Sequence, residues 1–167
     1  MTILFAHGLE SAPIGRKSQA LIDAGHAVVA PDGRGRDLGE RIAGLLEALL
    51  DAPAPPLLVG SSFGGIAGLV AAIMAADRGV VVPGLVLCAP ALMLPLPPGT
   101  VEALRCPAPT MVIHGTGDTV IPIEHSRRFA REHGARLREV DDDHRLSGPG
   151  LPVILEEVRA LVGGPAT

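Results

Sequence analysis

Short, almost uninterrupted apolar runs alternate along the chain with longer stretches in which apolar residues recur every three or four positions. The short runs are Ile3–Ala6, Ala27–Ala30, Leu57–Gly60, Leu85–Ala89, Thr110–His114 and Leu137–Val140. Several are dense in Leu and β-branched residues, the pattern of strands covered on both faces. Between them the spacing predicts helices over Gly15–Ala24, Asp37–Leu50, Phe63–Ala76, Ile123–His133 and Leu151–Leu161. In the second of these, Leu38, Ile42, Leu45, Leu46, Leu49 and Leu50 form one stripe. The third is apolar almost all round, which predicts a central, buried helix. Such alternation predicts βαβ units: a six-stranded, mainly parallel sheet with helices on both faces and right-handed crossovers. One stretch, Pro90–Pro109, breaks the pattern, with six prolines and a single short possible helix, Val101–Leu104.

The chain has 167 residues, about the size of one domain, and residues 1–167 are read as a single unit. An apolar fraction of 47% against 19% charged is enough for a buried core and too much for a disordered chain. The net charge of −4 excludes the basic face that a phosphate backbone requires, so no nucleic-acid partner is expected. Aromatics are 2% of the chain (Phe5, Phe63 and Phe129), which removes base-stacking platforms and aromatic cages. The apolar runs are far short of a membrane span. Met1–Ala6 carries no positive charge and too short an apolar stretch for a signal peptide, and reads as a first strand. Cys88 and Cys106 make no disulfide framework in a chain this long and read as two reduced thiols, which suggests a cytoplasmic location.

In parallel sheets of this kind ligand chemistry sits beyond the carboxyl ends of the strands. The third strand runs into the buried helix through Gly60-Ser61-Ser62-Phe63-Gly64-Gly65, a G-x-S-x-G pattern centred on Ser62. A nucleophile on so sharp a strand-to-helix turn is held at an unfavourable φ/ψ, and glycines two residues away relieve the crowding. The alternative is that Ser62 is an ordinary helix N-cap. A serine hydroxyl needs a base. His144, in Asp141-Asp142-Asp143-His144, follows the last strand, and His114 ends the fifth. In the loop after the fifth strand Asp118 is the better acid, past Gly115 and Gly117 with Pro122 closing the loop. The chain order Ser62, Asp118, His144 is the order of the α/β-hydrolase design.

With these residues in view, the sequence resembles a compact bacterial α/β-hydrolase of the serine esterase or thioesterase type. The resemblance runs over nearly the whole chain. It rests on His7-Gly8-Leu9-Glu10-Ser11, Pro31-Asp32, Gly60–Gly65, His114–Asp118 with Pro122, and Asp143-His144-Arg145-Leu146, in order and each at a strand end. It implies a minimal six-stranded version of that fold with no cap domain. It also implies an oxyanion hole made by the Leu9 and Phe63 amides, and hydrolysis of a small ester or thioester without cofactor or metal. Leu92 and Met93 lie where caps are normally inserted and are candidates for substrate contact, or simply cover the sheet.

Other readings remain beside this one. His7 either positions backbone or acts as a base, and His114 is read as hydrogen-bonded within its loop. His26, His125 and His133 are expected to face solvent. The Asp141–Asp143 run suggests a metal, but three consecutive Asp do not easily converge on one ion. Glu10 either orients the first loop or faces solvent. Arg34 and Arg36 are read as loop residues, or as a site for an acidic substrate group. The rival functions are a catalytically silent binding protein on the same fold and a scaffold that docks partners on the 91–98 stretch. Oligomeric state is left open.

Overall fold

The computed structural model of the protein describes residues 1–163, so the last four residues of the 1–167 unit lie outside the described residues. Six strands are present: β1 (Thr2–Ala6), β2 (Ala27–Val29), β3 (Leu57–Ser61), β4 (Leu85–Cys88), β5 (Thr110–Gly115) and β6 (Arg136–Val140). Five helices accompany them: α1 (Arg16–Asp23), α2 (Leu38–Leu50), α3 (Phe63–Ala76), α4 (Ile123–His133) and α5 (Gly150–Gly163). The strands form one sheet in the order β2-β1-β3-β4-β5-β6, and every neighbouring pair is parallel.

Side chains alternate between the two faces of the sheet, and both faces are covered. Leu4, Leu58, Leu85, Leu87 and Val112 share one core with Ile42 and Leu45 of α2, Ile66 and Leu69 of α3 and Phe129 of α4. Their neighbours Ile3, Phe5, Leu57, Val59, Val86, Met111 and Ile113 share the other with Leu21 of α1 and Ile154 and Val158 of α5. This is why the strands read as continuous apolar runs rather than as alternating ones. The chain first moves outward from β1 to β2, then crosses back over β1 to β3. Right-handed crossovers place the helices of these two opposite movements on opposite faces, as α1 and α2 are. The reversal opens a crevice beyond the carboxyl ends of β1 and β3. His7-Gly8-Leu9 leave one of these ends and Ser62 the other.

The 89–109 connection contains no helix, and Val101–Leu104 is a correction to the expectation above. Four residues cannot repay the cost of nucleating a turn, and the prolines at 95, 97 and 98 supply no N–H just upstream. The segment's apolar side chains are used instead as cover: Leu92, Leu94, Leu96, Val101 and Leu104 pack on the α2/α3 core.

Candidate active site

A single residue separates β3 from α3, and that residue is Ser62. Its backbone takes φ 54° and ψ −114°, a region that costs an L-residue strain. The bend is fastened on both sides. Ser62 N–H donates to Cys88 O at 2.9 Å, and Ser62 O accepts from Gly65 N–H at 2.9 Å and Ala91 N–H at 3.1 Å. A Cβ on Gly60 would lie 2.8 Å from Gly65 Cα, and one on Gly64 would run into the carbonyl oxygens of Ala6 and His7. Ser62 occupies the N-cap position of α3, yet its hydroxyl makes no cap hydrogen bond. It lies 3.0 Å from His144 Nε2.

His144 is half-buried in the loop after β6, and its position follows from Asp142. The Asp142 carboxylate accepts the N–H groups of Asp143 (2.8 Å), Gly148 (3.1 Å) and Gly150 (2.8 Å), which curls the loop and starts α5. Asp142 O in turn accepts Gly117 N–H at 3.0 Å, joining this loop to the one after β5. The acidic run therefore does not converge: Asp142 serves its own loop and Asp143 accepts from Arg145 N–H. Among the described residues no group of three His, Cys, Asp or Glu side chains could hold a metal ion.

Asp118 divides its two oxygens. Oδ1 accepts Val120 and Ile121 N–H, each at 2.8 Å. Oδ2 lies 2.7 Å from His144 Nδ1 and 3.0 Å from His114 Nε2. His114 is buried, with Nε2 also 3.0 Å from Ile121 O and Nδ1 2.7 Å from Ser126 Oγ. Since Ile121 O can only accept, Nε2 carries the proton and Nδ1 accepts from the Ser126 hydroxyl. Both imidazoles thus meet one carboxylate, and of the two it is His144 that lies beside Ser62.

His7 is buried and clamps backbone. Gly33 N–H donates to its Nε2 at 2.9 Å, so Nδ1 holds the proton and donates to Gly8 O at 2.8 Å. Leu9 is exposed, and neither Leu9 N–H nor Phe63 N–H meets a protein acceptor among the described residues. Leu92 is half-buried against the core while Met93 is exposed. Glu10 faces solvent, and Arg34 folds back on Asp32 with Nη2 2.7 Å from Oδ2. His26, His125 and His133 are half-buried rather than solvent-facing, and the His133 ring sits 4.9 Å from that of Phe129. Sequence reasoning passed over Arg41, a buried arginine of α2. The available signal was a lone cation on that helix's apolar stripe, three residues after Leu38 and four before Leu45.

No protein-family model matches the sequence, and no curated protein does. Solved structures do. A protein from Xanthomonas campestris pv. campestris, assigned to the alpha/beta superfamily of hydrolases, is 27% identical with a TM-score of 0.79. The match covers 97% of this chain and 98% of that one. Mouse alpha/beta hydrolase domain-containing protein 10 is 21% identical over 97% of this chain and 89% of its own, at a TM-score of 0.76. The monoacylglycerol lipase of Paleococcus ferrophilus is 19% identical over 97% and 94%, at 0.73. The chain has the α/β-hydrolase fold. The Xanthomonas protein supports hydrolase chemistry for it, and the two more distant structures share its fold.

The charged groups of this protein make its stability sensitive to acid. Burial pushes the Asp118 carboxyl up, but the hydrogen bonds from Ile121 N–H, His144 and Val120 N–H outweigh it and hold the group below the usual carboxylate range. Asp142 is likewise held low, its three backbone N–H bonds outweighing burial. Burial pushes the imidazoles of His7 and His114 below the ordinary histidine range. All four shifts are depressions, so the unfolded chain binds more protons than the folded one as pH falls. The histidine contribution is whole above about pH 6.5 and is lost below it, and the carboxylate contribution is whole above about pH 4 and is lost below that. Urea midpoints are expected to decline from pH 7 to pH 5 and more steeply below pH 4. A flat profile would contradict the burial of these groups. Asp142→Asn is expected to flatten the lower limb.

Proposed function

We propose that this hydrolase cleaves carboxylic esters or thioesters through an acyl-enzyme on Ser62, within one catalytic domain spanning residues 1–167. The observation that carries the proposal is the 3.0 Å separation of Ser62 Oγ from His144 Nε2, continued by the 2.7 Å contact of His144 Nδ1 with Asp118. Neutral His144 takes the Ser62 proton as Oγ attacks the carbonyl carbon. Asp118, kept ionised, holds the tautomer with the proton on Nδ1 and stabilises the imidazolium that forms. The Leu9 and Phe63 N–H groups, which meet no protein acceptor among the described residues, hold the tetrahedral oxyanion. The carbonyl re-forms as the single bond from its carbon to the leaving oxygen or sulfur breaks, and His144 gives its proton to the departing alcohol or thiol. Water, deprotonated by His144, attacks the acyl-enzyme and releases the acid and the Ser62 hydroxyl. Neither half-reaction requires a metal or cofactor.

Leu9, Met93 and Val120 are exposed apolar side chains on the loops that follow β1, β4 and β5. They suit small or flexible acyl groups, or an acyl group presented on a larger carrier, with Leu92 and Met93 offering contact. Amides are less suited, because their poorer leaving groups demand closer positioning. Both cysteines are free, and burial pushes the Cys88 thiol up to about 11, which fits inert thiols in a reducing, cytoplasmic setting. No described helix is long and apolar enough to cross a membrane.

A fluorophosphonate is expected to add once to the folded protein, at Ser62, by intact mass and peptide mapping. The adduct is expected to vanish in Ser62→Ala and to form far more slowly in His144→Ala. Folded protein that takes no label would overturn the proposal and favour a silent, binding role. A panel of acyl esters and acyl-thioesters of graded length then separates the two substrate classes.

A further inference from the structure

Helix α2 is started by a reciprocal cap. Asp37 Oδ1 accepts Glu40 N–H and Glu40 Oε2 accepts Asp37 N–H, both at 2.9 Å. One residue later Arg41 turns into the protein beside Ile42 and Leu45, with only 5% of its surface exposed. Its guanidinium forms no ion pair among the described residues. Its partners are three consecutive backbone carbonyls: Nη1 donates to His7 O at 2.9 Å and Gly8 O at 3.2 Å, and Nη2 donates to Leu9 O at 3.1 Å. The Cζ of the same guanidinium lies over the Phe63 ring, 4.9 Å from its centre. Burying a cation without a direct ion-pair partner is costly, and an apolar side chain would fill the space at less expense. Stability therefore does not explain why the position holds arginine.

The carbonyls it grips explain it better. Across a trans peptide C=O and N–H point in opposite directions, and the described chain has no cis peptide. Gly8 O is drawn to Arg41 Nη1 and to His7 Nδ1–H together. The N–H on the far side of that same peptide belongs to Leu9, so it is turned away from Arg41 and meets no protein acceptor among the described residues. Phe63, whose amide is the other proposed oxyanion donor, rests its ring on the same cation. Gly33 makes room for this arrangement: a Cβ there would come 2.8 Å from Arg41 Nε and 3.0 Å from Cδ.

We propose that Arg41 is a positioning residue for oxyanion stabilisation, a buried guanidinium that aims the Leu9 amide and seats Phe63. The proposal rests on the serine-hydrolase mechanism above. Arg41 acts through the two amides and touches no reacting atom.

The test is steady-state ester hydrolysis by Arg41→Met, Arg41→Lys and Gly33→Ala, each checked for fold by circular dichroism and melting. Arg41→Met is expected to lower kcat about 100-fold, the scale of losing one oxyanion donor, with little change in KM. The acid-side midpoint of its pH profile should stay where the wild type has it, since the Ser62–His144 pair is untouched. Arg41→Lys, which keeps the charge but not the planar fork, should recover part of the loss. Gly33→Ala should lower kcat in the wild-type background and add little to Arg41→Met, because both act through one side chain. An Arg41→Met enzyme with wild-type kcat, a loss confined to KM, or fully additive Gly33 and Arg41 effects would each overturn the proposal. If Arg41→Met does not fold, Arg41→Lys and Gly33→Ala decide by the same readouts. A wild type that takes no phosphonate at Ser62 overturns the hydrolytic mechanism itself, whereas a reactive wild type with an indifferent Arg41 overturns only this role.

Discussion

Replacing Ser62 with Ala is expected to lower kcat by roughly 10⁴–10⁶-fold while the protein stays folded. The hydroxyl makes no helix-capping bond, so its removal leaves the elbow's backbone contacts to Cys88, Gly65 and Ala91 in place. On the proposed mechanism, what disappears is the atom that carries the acyl group. His144→Ala should cost a comparable factor, and the double variant little more than either alone, because the two side chains act as one unit. Asp118→Asn separates orientation from charge. The Asn carbonyl oxygen can still accept Val120 and Ile121 N–H, which keeps the loop. Its NH₂ then faces His144 Nδ1, which must become an acceptor. The proton moves to Nε2, where it faces Ser62 and cannot take the hydroxyl proton. A loss of about 10⁴-fold is expected from that tautomer alone. Initial rates on an activated ester, with intact mass to exclude contaminating enzyme, measure all four variants. A Ser62→Ala protein that keeps a tenth of wild-type activity would move the nucleophile elsewhere.

The elements that carry this chemistry were legible where the information is local. The elbow needs a strand, a serine between glycines and a helix within a dozen residues, and those residues are consecutive from Leu57 to Ile66. The loops bearing Asp118 and His144 were legible as strand ends. That they lie side by side is a property of register, with Gly115 paired to Val140 in the sheet. Which histidine meets the serine is likewise decided by tertiary structure: His114 points into the β5–α4 core, to Ser126 and Ile121, and reaches Asp118 from there. Arg41 escaped because periodicity marks the apolar members of a stripe and passes over a polar one. Its three partners lie 32 to 34 residues away and are carbonyls, which every residue has. The Val101–Leu104 expectation failed for a related reason, since four apolar-rich residues look alike whether they form a turn of helix or lie flat on a core.

Gly64→Ala is expected to destabilise the protein by about 3–5 kcal/mol, a fall in melting temperature of about 10 °C or more at this size. The clash is with backbone: the new methyl would occupy the space of the Ala6 and His7 carbonyl oxygens. Those oxygens belong to the end of β1, and β1 is fixed by its pairing with β3 from Ile3 to Ala6. Neither α3 nor the strand can yield without breaking that ladder or shifting His7-Gly8-Leu9, so the activity that survives should be low as well. Gly68→Ala supplies the contrast one turn on. Its nearest neighbour is a terminal methyl of Leu58 at 2.7 Å, which can swing aside, and the cost should be smaller. Gly44→Ala in α2 should go the other way. Its Cβ would meet only the Arg36 guanidinium, at 3.8 Å, and removing a helix-interior glycine gains about 0.5–1 kcal/mol. Urea or thermal melts of the three variants give the order directly. A Gly64→Ala protein as stable and as active as wild type would mean that the close approach of β1 and α3, on which the whole site depends, is wrong.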